Sequence, residues 1–187
     1  MLVDNKKQET GKKPLWIQIG VPVFIVALIC GIWLLKCADE NPETDALTAL
    51  EDGNFALNET EMIDYEALSE YGLPMIVDYG SDSCVPCKAM LPALETLNEE
   101  MSGKAFIKFV DVWKYTDAAS NVPIQVIPTQ VLFNADGTPF VPSDTLAAQI
   151  PFTMYTHRET EEHVFTVHQG GLTEEQLRAI LKEMGVE

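Results

Sequence analysis

Two kinds of hydrophobic pattern divide the chain. Residues 15–35, "LWIQIGVPVFIVALICGIWLL", run for 21 positions without a charge, and Gln18 is their one strongly polar side chain. Beyond residue 58 the apolar positions become periodic instead. "NETEMIDYEALSEYG" predicts a helix with Asn58 or Thr60 as its cap, Met62, Ile63, Tyr65, Ala67 and Leu68 as its apolar face, and Gly72 as its stop. "LPMIVDYG" (73–80) is a short apolar run suited to a buried strand. From Cys84 to Met101 the spacing of Met90, Leu91, Leu94, Leu97 and Met101 predicts a helix, with a kink expected at Pro92.

The second half alternates in the same way. "KAFIKFVDVW" (104–113) reads as a half-buried strand, "TDAASN" as the start of a short helix, and "TQVLFNADG" (129–137) as a strand entering an Asp-Gly turn. A further strand is expected in "EEHVFTVHQGG" (161–171). A final helix is expected in "TEEQLRAILKEMG", where Thr173 and Gln176 form a capping box and Leu177, Ile180, Leu181 and Met184 a buried stripe. Strands alternating with helices imply α/β packing around a central sheet. Residues 138–160 fit no simple element and read as an insertion. With Phe140, Ile150, Phe152, Met154 and Tyr155, two roles are open to it: packing over the sheet edge or forming a partner surface.

Length turns the first pattern into a membrane anchor. As a helix, 21 residues span about 31 Å, matching the hydrocarbon core of a bilayer. Lys6, Lys7, Lys12 and Lys13 precede it, and Asp39, Glu40, Glu43 and Asp45 follow, so the positive-inside tendency puts the N-terminus in the cytoplasm. A cleaved signal peptide would have a shorter apolar region and a small-residue cleavage site. Neither Cys30 nor Cys37 has the small residue before it that a bacterial lipoprotein site needs. The expected organisation is a cytoplasmic tail (1–14), a transmembrane anchor (15–35), an acidic linker (36–58) and an extracytoplasmic domain (59–187).

Charge sharpens this picture. The 187-residue chain carries a formal charge of −17, unevenly spread: residues 1–37 hold five lysines against Asp4 and Glu9, whereas the rest hold seven Lys/Arg against 27 Asp/Glu. So acidic a body repels phosphates, which excludes nucleic acid as a partner. At 47% hydrophobic residues the chain can build a core without disulfides, and its four cysteines are too few for a disulfide scaffold.

Two of those cysteines carry the candidate chemistry. "SDSCVPCKAM" places Cys84 and Cys87 at the start of the expected helix, directly after a buried strand. A helix N-terminus stabilises a thiolate through its free N–H groups and dipole, which favours Cys84 as nucleophile and Cys87, one turn further in, as the resolving thiol. A metal site would need about four ligands, and His157, His163 and His168 are not spaced as a second pair. A structural disulfide across so short a loop would constrain the unfolded chain little. No metal and no cofactor are expected.

At these residues the chain resembles the thioredoxin superfamily, and within it the membrane-anchored, extracytoplasmic bacterial members. The likeness covers about residues 60–185. It rests on "IVDYGSDSCVPCKAMLP", on "VIPTQVLF" and on "GGLTEEQLRAILKEMG". It implies a thioredoxin fold, a central mixed sheet flanked by helices, and a catalytic dithiol at Cys84 and Cys87. It also implies that Asp78 is a buried base for Cys87. Pro128 would be a cis-proline presenting the Ile127 backbone to substrate, with Val85 and Pro86 on the same rim. The chain departs from the pattern at Tyr79, Gly80 and Ser83, where thioredoxins carry an aromatic-rich stretch. The function implied is reduction of disulfides in extracytoplasmic proteins, fed by a CcdA/DsbD-like membrane electron donor. A disulfide oxidase or isomerase, and a copper-delivery module, are the alternatives.

Overall fold

The computed structural model describes residues 54–186. The tail expected at 1–14, the anchor expected at 15–35, the linker up to residue 53, and Cys30 and Cys37 all lie outside the described residues. Among the described residues no helix is long and apolar enough to cross a membrane.

A six-stranded sheet organises everything described. Its strands are β1 (Asn58–Glu59), β2 (Met75–Gly80), β3 (Phe106–Asp111), β4 (Thr129–Phe133), β5 (Thr153–Thr156) and β6 (His163–Gln169), in the order β1-β3-β2-β4-β6-β5. The β1–β3 and β2–β3 pairs are parallel; β2–β4, β4–β6 and β5–β6 are antiparallel. The helices are α1 (Tyr65–Ser69), α2 (Val85–Glu100), α3 (Asp144–Ala147) and α4 (Glu174–Glu183), with a 3-10 turn at Thr116–Ala119. On one face Met90, Leu94 and Leu97 of α2 and Leu177, Ile180 and Leu181 of α4 pack against Ile76, Ile107 and Leu132. On the other, Tyr65 and Leu68 of α1 and Ala118 of the 3-10 turn cover Met75, Val77, Tyr79 and Val131. Alternation in β2 therefore sends Ile76 and Asp78 towards α2, and Val77 and Tyr79 away from it.

Most elements lie where their spacing predicts, and α4 has the capping box of Thr173 and Gln176. Helix α2 runs through Pro92, which cannot donate a hydrogen bond to the preceding turn. Two expectations are corrected. Helix α1 is capped by Asp64, whose carboxylate accepts from the Ala67 N–H at 3.0 Å, and not by Asn58 or Thr60. Asn58 is drawn into β1 beside Phe109. Strand β3 is buried along its whole length, not half-buried, because both sheet faces are covered. Its polar side chains find partners in β1 and the flanking segments: Lys108 Nζ meets the Ala56 carbonyl at 2.9 Å and Glu59 at 2.5 Å, and Asp111 accepts from the Asp82, Trp113 and Lys114 N–H groups.

Packing begins ahead of β1. Phe55 is buried and stacks on Phe106 with ring centroids 4.7 Å apart. The insertion packs against the sheet edge: Phe140, Leu146 and Ile150 are buried on the α2 face, and β5 pairs with β6 as the outermost strand. Ser143 caps α3 and is itself bound by Glu183 of α4.

Candidate active site

The site forms where β2 ends and α2 begins. The chain leaves β2 at Gly80, turns through Ser81–Ser83, and starts α2 with Cys84 in the N-cap position, in extended conformation (φ −89°, ψ 127°). Pro86 lies in the first helical turn, where a missing N–H costs nothing because that turn has no intrahelical acceptor. The turn is held by Cys84 N donating to the Ser81 carbonyl and Ser83 N to Ser81 Oγ. The Asp111 carboxylate ties it to the next loop by accepting from the Asp82, Trp113 and Lys114 amides, and Lys114 pairs with Asp82.

Within this frame the two cysteines differ in access. They are free thiols with their sulfurs 2.6 Å apart. Cys84 is 9% exposed and Cys87 wholly buried, so only the outer sulfur meets an incoming group. The Cys87 thiol is pushed up to about 12, first by desolvation, then by its bond to Cys84 and the nearby charges of Cys84 and Asp78, against a backbone N–H at Ser81 that favours the anion. Cys87 therefore does not ionise on its own at neutral pH.

Beneath them, Asp78 is fully buried in the middle of the sheet. Burial raises its carboxyl from 3.8 to about 7, and the hydrogen bond donated by Gln130 Nε2 to Oδ1, 2.7 Å long, opposes that rise. The other oxygen, Oδ2, has no hydrogen-bond partner among the described residues. Gly80 explains how the carboxyl and the inner thiol come to share a space. A Cβ at Gly80 would stand 3.1 Å from Asp78 Oδ2, 3.2 Å from Cys87 Sγ and 3.0 Å from the Phe109 ring. Glycine leaves that gap open and Phe109 walls it from β3.

The opposite wall is the segment before β4. The Ile127–Pro128 peptide is cis, and the Ile127 carbonyl oxygen lies 4.0 Å from Cys84 Sγ. Thr129 Oγ1 donates to the Val126 carbonyl and Gly170 N to the Pro128 carbonyl, fixing this segment from both sides. The rim is apolar: Val85 is 80% exposed and Val126 53%, and Pro86 is exposed beside them. Ser83 is exposed just before Cys84, and Trp113, 60% exposed, stands on the loop that Asp111 ties to the dithiol turn.

All seven residues singled out from the sequence thus fall at one end of the sheet: Asp78, Cys84, Val85, Pro86 and Cys87 on or just after β2, and Ile127 and Pro128 just before β4. Gln130 was not singled out. The signal was present as a lone amide in the apolar strand "TQVLF", the counterpart of Asp78 in "PMIVDY". Among the described residues no three His, Cys, Asp or Glu side chains gather as a metal site.

Comparison with known proteins gives this geometry a family context. Residues 59–149 match the family model described as Thioredoxin. Thioredoxin from Staphylococcus aureus is 34% identical over 90 residues, covering 45% of this chain and 85% of that protein. Thioredoxin C-2 of Corynebacterium nephridii is 42% identical over 60 residues, 32% of this chain and 56% of its own length. The chloroplastic thioredoxin Y of rice is 32% identical over 68 residues, 36% of this chain and 40% of its own length. The chain thus spans about half the length of these last two relatives. The crystal structure of Fasciola hepatica thioredoxin aligns over 69% of this chain and 99% of its own, at 22% identity and a TM-score of 0.46.

Proposed function

Since the chain belongs to the thioredoxin family, we propose that it is a thiol–disulfide oxidoreductase that reduces disulfides of extracytoplasmic proteins. The observation that carries this reading is the graded dithiol: a reachable Cys84 at the helix N-cap, a buried Cys87 2.6 Å away, and the Asp78 carboxyl facing the same gap.

The Cys84 thiolate attacks one sulfur of a substrate disulfide, forming a mixed disulfide and expelling the other substrate sulfur as a thiolate. Cys87 then gives its proton to Asp78 and attacks Cys84 Sγ. This releases the second substrate thiolate and leaves the Cys84–Cys87 disulfide. Two electrons pass to the substrate; one of its thiolates takes up the proton that Asp78 received from Cys87, and the other takes one from solvent. A thiol pushed up to about 12 needs a base to do this, and a carboxyl at about 7 can accept and return a proton at neutral pH. Val85, Pro86 and the cis Ile127–Pro128 segment form the surface on which an extended substrate strand would lie, by backbone pairing along Ile127.

Strong oxidants owe their potential to a stabilised reduced form. Here Val85-Pro86 supplies no histidine between the cysteines to stabilise the thiolate, which favours a reductant. The apolar stretch 15–35 and the charge contrast across it support a membrane-anchored chain with its dithiol outside the cytoplasm. Such a reductase is recharged by a transmembrane thiol carrier of the CcdA/DsbD type.

The test is trapping. Cys87→Ala, expressed in its native membrane, should accumulate mixed disulfides with substrate proteins at Cys84. Cys84→Ala should accumulate none, and equal trapping by both variants would sink the assignment of roles.

A further inference from the structure

Asp78 does not stand alone in the sheet. Gln130 is its cross-strand neighbour on β4, is equally buried, and supplies the one hydrogen bond to the Asp78 side chain among the described residues. A buried amide is an expensive residue for that position. Among the described residues its Oε1 has no hydrogen-bond partner, and apart from Asp78 its Nε2 donates only to Met90 Sδ, at 3.7 Å. An apolar side chain like those of Val131 and Leu132 beside it would spare the unsatisfied carbonyl.

The orientation this bond imposes matters. With Oδ1 tied to Gln130, Oδ2 is left over the gap at Gly80, across which lies Cys87 Sγ. Going further than the reading above, and resting on its assignment of Asp78 as the base for Cys87, we propose that Gln130 is a positioning residue for that proton transfer. Its amide pins one carboxyl oxygen so that the other stays aimed at the inner thiol. An amide suits a partner that must cycle between two states: N–H donates to the carboxylate, and the carbonyl oxygen can accept from the carboxylic acid. A cationic side chain would bind only the anion, and an apolar one neither form.

The other groups around Asp78 leave this task to Gln130. Helix α2 presents Cys84 and Cys87. On β3 the register partner is Phe109; Asp111, two residues on, is engaged by Asp82, Trp113 and Lys114. Lys108 turns to the far face, towards Ala56 and Glu59. On β6, His168 pairs with Gln130 in register, but its Nδ1 lies 2.8 Å from the Pro151 carbonyl.

The experiment compares wild type with Gln130→Leu and Gln130→Met, the second keeping the length of the side chain without its donor. Two readouts are taken on the full chain across pH 5 to 9. One is the infrared C=O band of the protonated Asp78 carboxyl, assigned by its loss in Asp78→Asn. The other is the rate at which Cys87 resolves a mixed disulfide formed at Cys84 with a small aromatic disulfide. Losing the donor removes a bond that favours the carboxylate. The band should therefore persist to higher pH, by about one unit, and resolution at pH 7 should slow several-fold. In an Asp78→Asn background the Gln130 substitutions should leave the pH profile unchanged. A merely structural role would lower the rate equally at every pH and leave the carboxyl titration in place. That result, in either variant, overturns the proposal. The infrared titration needs no turnover, so it decides the role of Gln130 even if the wild-type chain proves unable to resolve a mixed disulfide, which would refute the functional reading instead.

Discussion

Asp78→Asn should stabilise the protein, and only above a certain pH. In the folded chain the carboxyl is raised by burial from 3.8 to about 7, against the pull of the Gln130 bond. Between about pH 4 and 7 the folded state therefore holds a proton that the unfolded state has released, and stability falls as pH rises through that window. The contribution of the protonated carboxyl is complete below about pH 4 and gone above about pH 7. At about 1.4 kcal/mol per unit, a rise of roughly three units is worth about 4 kcal/mol. Asparagine keeps the acceptor for Gln130 Nε2 and carries no charge to desolvate. The variant should match wild type within about 0.5 kcal/mol at pH 4 and gain about 1.4 kcal/mol per pH unit, reaching about 4 kcal/mol at pH 8. Urea titrations of both chains at each pH, followed by circular dichroism, measure the difference directly, because all other titrating groups cancel. A gap that stays constant from pH 4 to 8 would refute the claim that Asp78 is buried and titrates near neutrality.

Two further outcomes follow from the same geometry. Gly80→Ala would put a methyl group 3.0–3.2 Å from the Phe109 ring, Asp78 Oδ2 and Cys87 Sγ; it should cost about 1–3 kcal/mol in denaturant titration and slow resolution by Cys87. An alanine variant with normal stability and normal resolution would show that the gap is not tight. With its thiol at about 12 and its side chain buried, Cys87 should resist iodoacetamide at pH 8 while Cys84 is alkylated, as read by peptide mass analysis of the reduced chain. Equal labelling of the two cysteines would contradict the graded dithiol.

The elements legible in the sequence are those whose signals are local. Strand β2 shows as an unbroken apolar run, α2 as apolar residues at three and four, and α4 by Thr173 and Gln176 facing each other across one turn. The misread features depend on partners far along the chain. Lys108 looks like the exposed side of an alternating strand, yet it is buried because Ala56 and Glu59, about 50 residues earlier, arrive to satisfy it. In the insertion, β5 is short and loses register at Tyr155–Thr156, too brief for a period to show. The same reason separates Asp78 from Gln130 as sites. Asp78 could be found from its offset to Cys84, whereas the pairing with Gln130 is a matter of register between strands 52 residues apart.

The direction of electron flow is the claim on which the function turns, and the reduction potential of the Cys84–Cys87 pair tests it most directly. Equilibrating the full chain with dithiothreitol or glutathione buffers and trapping the thiols by acid and alkylation gives that potential. A value near −270 mV is predicted, as for reducing dithiols of this family; one near −120 mV, typical of strong oxidants, would contradict a reductase.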